Sequence, residues 1–139
     1  MAADSAEWTG EIACALDVAK VVRLPDGSLM AGCGNTADLD LLKAWIVAGA
    51  DTKVFPRKLK EPNSTAVLYA SREAVRIYHG DSGVTDCTKQ EWCALGAHQA
   101  FVTGLLVAGK SAVECVDIAI ERASWAGGRT MSMRLELND

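Results

Sequence analysis

The strand-forming segments of this chain come in turn-linked pairs, and that pairing restricts its fold more than any single residue does. Glu11–Leu24 is rich in Val, Ile and Ala, and Pro25-Asp26-Gly27 supplies turn chemistry before the apolar run from Ser28 to Gly34. A second pair follows, with strands over 65–71 and 74–80 joined through Arg72-Glu73 and closed by Asp81-Ser82-Gly83. Strands joined by tight turns run antiparallel. A parallel doubly wound sheet, which needs a helix after each strand, is therefore excluded.

The helical segments fall between and after the hairpins. Asn35-Thr36 offers a cap, and Leu39, Leu42 and Ile46 recur on one face to about Ala48. The stretch Thr52–Asn63 carries two of the three prolines and reads as a surface connection. After Gly96, Phe101, Val102 and Leu105 mark a second helix that stops at Gly109. Ser111 with Glu114 forms a capping box, and Val113, Val116, Ile120 and Ala123 line a third helix that runs to Gly127-Gly128. The tail from Thr130 alternates, placing Met131, Met133, Leu135 and Leu137 on one face of a final strand. The expected order is β-β-α-β-β-α-α-β, an α+β layered sandwich of antiparallel sheets in a single domain over 1–139.

A net charge of −4 with scattered Lys and Arg lacks the basic patch that a nucleic-acid or anionic-membrane surface needs. No apolar run reaches the roughly 20 residues of a membrane span, and no signal-peptide layout opens the chain, so a cytoplasmic protein is expected. The five cysteines form no C-x-x-C pair and are expected to be reduced. His79 and His98 have no second ligand type at metal spacing, and neither metal nor cofactor is expected.

Four short signals bear on chemistry. They are Ala2-Ala3-Asp4-Ser5, Lys20 among apolar neighbours, the glycines of Ala-Gly-Cys-Gly-Asn-Thr-Ala-Asp (31–38), and Ala126-Gly127-Gly128. Asp4 alone reads as a surface carboxylate at a strand end. Lys20 either points outward from its strand or, facing the core, must be paired or lose its charge. Gly32 and Gly34 either shape a turn or present backbone N–H groups to an oxyanion at a helix start.

At their actual spacings these signals resemble the proteasome β-type family, in particular the bacterial HslV-type subunit, a branch of the N-terminal-nucleophile hydrolases. The resemblance spans nearly the whole chain. Asp4, Lys20 and Gly34 keep the family's intervals, and Thr36-Ala37-Asp38 repeats its Thr-Ala-Asp at the first helix. It implies a four-layer αββα sandwich and a threonine-type endopeptidase subunit acting on peptide or unfolded protein. A homo-oligomeric ring and an ATP-dependent unfoldase are the implied partners. In such a site a Thr hydroxyl attacks, its own α-amine (pKa about 8) is the base, Lys20 supports the amine, Asp4 keeps Lys20 charged, and the Gly34 N–H holds the transition-state anion.

The same resemblance sets two departures. The family's Thr-bearing first strand precedes the Ala-Asp motif, whereas Met1–Asp4 reads as the second arm of a hairpin whose first arm is missing, so this polypeptide is expected to be inactive. Gly96-Ala97-His98 stands for Gly-Ser-Gly, and Ala123-Ser124-Trp125-Ala126-Gly127-Gly128 for Asp-x-x-Ser-Gly-Gly, removing two hydroxyls and a carboxylate. The middle is also shorter, with one helix where the family usually has a pair. A non-catalytic ring subunit or assembly scaffold is the alternative, and a small-molecule amidase of the same fold a third reading. Trp45 and Trp125 are expected at subunit contacts.

Overall fold

The computed structural model describes residues 1–9, 12–15, 18–124 and 126–136. Its centre is a five-stranded antiparallel sheet in the order β4-β5-β6-β7-β8, built from Val21–Arg23, Leu29–Cys33, Ala66–Ala70, Val75–His79 and Val84–Asp86. β1 (Ala2–Asp4) pairs antiparallel with β9 (Thr130–Ser132), and β2 (Glu7–Thr9) with β3 (Ile12–Ala15). Both expected hairpins are present, β4-β5 around Asp26-Gly27 and β6-β7 around Arg72-Glu73.

Both faces of the central sheet are covered, which is why its strands are apolar on both sides. One face meets α1 (Thr36–Val47), where Leu42, Trp45 and Ile46 pack on Met30, Val67 and Tyr78. Trp45 sits edge-on to both Phe55 and Tyr78, at centroid distances of 5.0 and 5.7 Å. The opposite face gathers Ala66, Ile77 and Cys87 with Cys33, Leu68, Val75, Cys93 and Leu95. α3 (Ala112–Arg122) packs on β1 and β9, and α2 (Gln99–Val107) lies beside α3. The result is an α+β assembly of antiparallel sheets between helical layers. No described helix is long and apolar enough to cross a membrane.

Several expectations are corrected. The single strand over Glu11–Leu24 is divided into β3 and β4, and Lys20 lies in the segment before β4 instead of within a strand. The turn at Asp81-Ser82-Gly83 leads into a further strand, β8, all three of whose residues are exposed. β9 ends at Ser132; beyond it Met133 exchanges bonds with Met1 at 2.8 and 3.0 Å, and then Arg23 donates to Arg134 O at 2.7 Å and Arg72 to Glu136 O at 3.2 Å. Leu137, the last of the expected alternation, lies outside the described residues.

α3 starts at its capping box, as expected, but ends at Arg122 and buries Cys115 and Ala119, leaving Val113 exposed. Trp45 is not a surface residue. It is buried in the core, and its indole N–H donates to Asp51 O at 2.8 Å. Trp125 lies outside the described residues.

Candidate active site

The Asp4–Lys20 site is assembled where β1, the segment before β4 and the turn at 127–129 converge. Asp4 ends β1, and its Oδ1 accepts a hydrogen bond from Lys20 Nζ at 2.7 Å. The ion pair is shielded but not sealed, with the side chains 17% and 25% exposed. The second carboxylate oxygen, Oδ2, accepts the N–H of Gly127 at 3.1 Å. Asp4 is thus held from two sides, by the Lys20 ammonium on one oxygen and the Gly127 N–H on the other. The outward-pointing alternative for Lys20 does not apply.

The residue after Asp4 ties the same elements together. The Ser5 hydroxyl accepts the Arg129 N–H at 2.9 Å, Ser5 O accepts the Val18 N–H at 2.8 Å, and Ser5 N donates to Gly127 O at 3.3 Å. Ser5 is fully buried. The turn at 127–129 and the approach to Lys20 are therefore both registered against β1 by backbone groups. Among the four sequence signals, Ala126-Gly127-Gly128 finds its role here, as a backbone donor to the carboxylate.

Gly34 follows β5 and precedes the N-cap Asn35, whose side chain accepts the Ala37 and Asp38 N–H groups at 3.1 and 3.3 Å. Its φ is +108°, and a Cβ there would stand 2.5 Å from Ser64 O and 2.6 Å from Thr65 Cα. Only glycine fits a backbone so placed. The Lys20 charge acts on the Cys33 thiol, the residue next to Gly34, lowering a pKa that burial raises. Asp4 and Lys20 are thus brought together, while Gly34 stands between β5 and the N-cap of α1, next to the thiol on which the Lys20 charge acts.

Asp38 explains the Thr-Ala-Asp run. It is 1% exposed, and its two oxygens accept the N–H groups of Lys60 and Glu61 at 2.9 and 2.6 Å, tying the 52–63 connection to the first turn of α1. At the other departure, the ring of His98 hydrogen-bonds the Ser124 carbonyl, joining the start of α2 to the end of α3.

Antiparallel sheets between helical layers make this an α+β sandwich of the fold seen in HslV-type subunits. The solved structures agree. Eukaryotic HslV from Trypanosoma brucei superposes with a TM-score of 0.73 at 17% identity, covering 94% of this chain and 88% of that one. BPH of Thiobacillus denitrificans matches in complex with epoxomicin (TM-score 0.68, 18% identity, 98% and 92% covered) and without it (0.66, 19%, 99% and 92%). No protein-family model matches the sequence, and no curated protein sequence matches it.

Proposed function

We propose that the chain is a subunit of a proteasome-like threonine-type peptidase, in which Asp4, Lys20 and Gly34 supply the charge-handling part of the catalytic site. The observation that carries this reading is the Asp4–Lys20 pair at 2.7 Å, braced by the Gly127 N–H. A lysine ammonium set beside an amine favours its free-base form and stabilises a developing anion. Gly34, at the N-terminal end of a capped helix, suits the oxyanion side of acyl transfer. Peptide segments of unfolded protein are the substrate class, like subunits in a ring the setting, and an ATP-dependent unfoldase the partner. Ring assembly is supported by exposed apolar side chains on α1 and α2, Leu41, Val47, Phe101 and Val107.

The test compares the 139-residue polypeptide with one carrying a Thr-initiated strand of about a dozen residues ahead of Met1, its amine free. Among the described residues β1 has β9 as its one sheet partner, so an added strand has an open edge to pair with. The short form is expected to hydrolyse fluorogenic peptides no faster than buffer. The extended form is expected to melt higher and to gain turnover that Lys20→Ala abolishes. An extended form that melts higher and assembles yet shows no turnover would favour the second reading, a non-catalytic ring subunit or scaffold. Ala97 and Ala126, where hydroxyls are expected, support that second reading.

A further inference from the structure

Three cysteines lie on the face of the central sheet turned away from α1, packed into one apolar cluster. Cys87 follows β8 and is buried, with Cys33 and Cys93 packed around the same apolar cluster. Backbone bonds fix its place: the Cys87 N–H donates to Val75 O at 2.8 Å, and Cys87 O accepts the Gln90 N–H at 3.0 Å. That turn sends the chain back on itself, and Cys93, six positions on, packs against the same small cluster that holds Cys87. Cys115 is elsewhere, on α3. Among the described residues no group of three His, Cys, Asp or Glu side chains could hold a metal ion, so this cluster is not a ligand set.

We propose that Cys87 and Cys93 form an intramolecular disulfide with a low-molecular-weight disulfide as oxidant, and that the bond clamps the 87–98 segment against the sheet beside Gly34. The segment runs from β8 to α2, and Gly96 within it lies against Cys33, the residue preceding Gly34. With oxidised glutathione the thiolate of the less buried Cys93 attacks one glutathione sulfur, giving a mixed disulfide and one glutathione thiolate. The Cys87 thiolate then attacks the Cys93 sulfur and expels the second glutathione. The two thiols lose two electrons and two protons, and the oxidant takes up both as two reduced glutathiones. Burial and the neighbouring Cys87 raise the Cys93 pKa to about 11. The Cys93 thiol is therefore protonated at neutral pH, so the reaction is slow there and accelerates as its thiolate appears.

The experiment treats native protein with oxidised glutathione, alkylates remaining thiols and digests with trypsin without reduction. Lys89 lies between the two cysteines, so the bond appears as peptide 77–89 joined to peptide 90–110, each holding one cysteine. The expected result is that linked pair, formed about tenfold faster per pH unit between about pH 7 and about pH 9, reversed by dithiothreitol and unchanged in Cys33→Ala. Amide exchange over 87–98 should slow in the oxidised form. A Cys93 that stops at the glutathione adduct, a Cys33–Cys93 bond, or linkage only in denaturant would overturn the assignment. Unchanged exchange over 87–98 would overturn the clamp.

Discussion

Asp4 and Lys20, sixteen positions apart in the chain, meet at 2.7 Å, with the Gly127 N–H on the free carboxylate oxygen. Removing the carboxylate alone leaves an ammonium and a backbone donor unpaired in a shielded place. Asp4→Ala is expected to cost about 2 kcal/mol in urea denaturation, discounted from the buried limit because the pair is partly solvated. Asp4→Ala with Lys20→Ala should cost less than the sum of the single changes. Strict additivity would show that the two do not interact energetically.

Gly34 and Gly27 make a matched comparison. Both have positive φ, +108° and +85°, but a Cβ at Gly34 meets Ser64 O at 2.5 Å while one at Gly27 meets nothing within 4 Å. Gly27→Ala is expected to cost about 1 kcal/mol, from backbone strain alone, and Gly34→Ala about 3 kcal/mol or more. Equal midpoints in thermal melts would contradict the close approach of Gly34 to the 64–65 backbone.

The capping box of α3 gives a pH dependence. Glu114 accepts the Ser111 N–H at 2.8 Å and the Lys110 ammonium at 3.2 Å, and these bonds hold its pKa down to about 2. A carboxylate whose folded pKa is depressed stabilises above its unfolded value, about 4.3, and loses that contribution as pH falls through the folded value. Glu114→Gln should therefore melt lower than the parent at neutral pH, with the difference closing between about pH 4 and about pH 2. A difference that widened on acidification would reverse the sign argued here.

Assembly is checked by light scattering. The exposed Leu41, Val47, Phe101 and Val107 predict a homo-oligomer at micromolar concentration, and a monomer of 14.7 kDa would count against ring formation.

The hairpins were legible because their turns carry Asp-Gly or polar residues between alternating apolar runs, and α3 because its cap pairs Ser111 with Glu114. Strand β8 was not legible, since all three residues are exposed and show no apolar alternation. Nor was the division of Glu11–Leu24. Ile12–Ala15 and Val21–Arg23 have the same apolar character, and no Gly or Pro separates them. At the site, the intervals from Asp4 to Lys20 and Gly34 were readable, and the structure pairs the first two. The brace from Gly127 was not readable as such, because a backbone donor 123 positions away leaves no side-chain signature. Trp45 was misassigned to the surface because an aromatic residue on a helix can serve a core or a contact equally well, and only the neighbouring Phe55 and Tyr78 decide it.

The grip of Asp38 on Lys60 and Glu61 divides the 52–63 connection into two stretches of different character. Arg57 and Lys58 lie on the free side and are exposed, whereas the backbone at 60–61 is held against α1. Cleavage by a protease needs several residues of backbone to pull free, so trypsin acting on the native protein should nick after Arg57 or Lys58 and spare Lys60. The two fragments would stay together, because β5 and β6 on either side of the nick are zipped over five residue pairs. The same place, outside the grip and ahead of the bonded turn, is where the chain would accept an inserted epitope or a second domain at least cost to its folding.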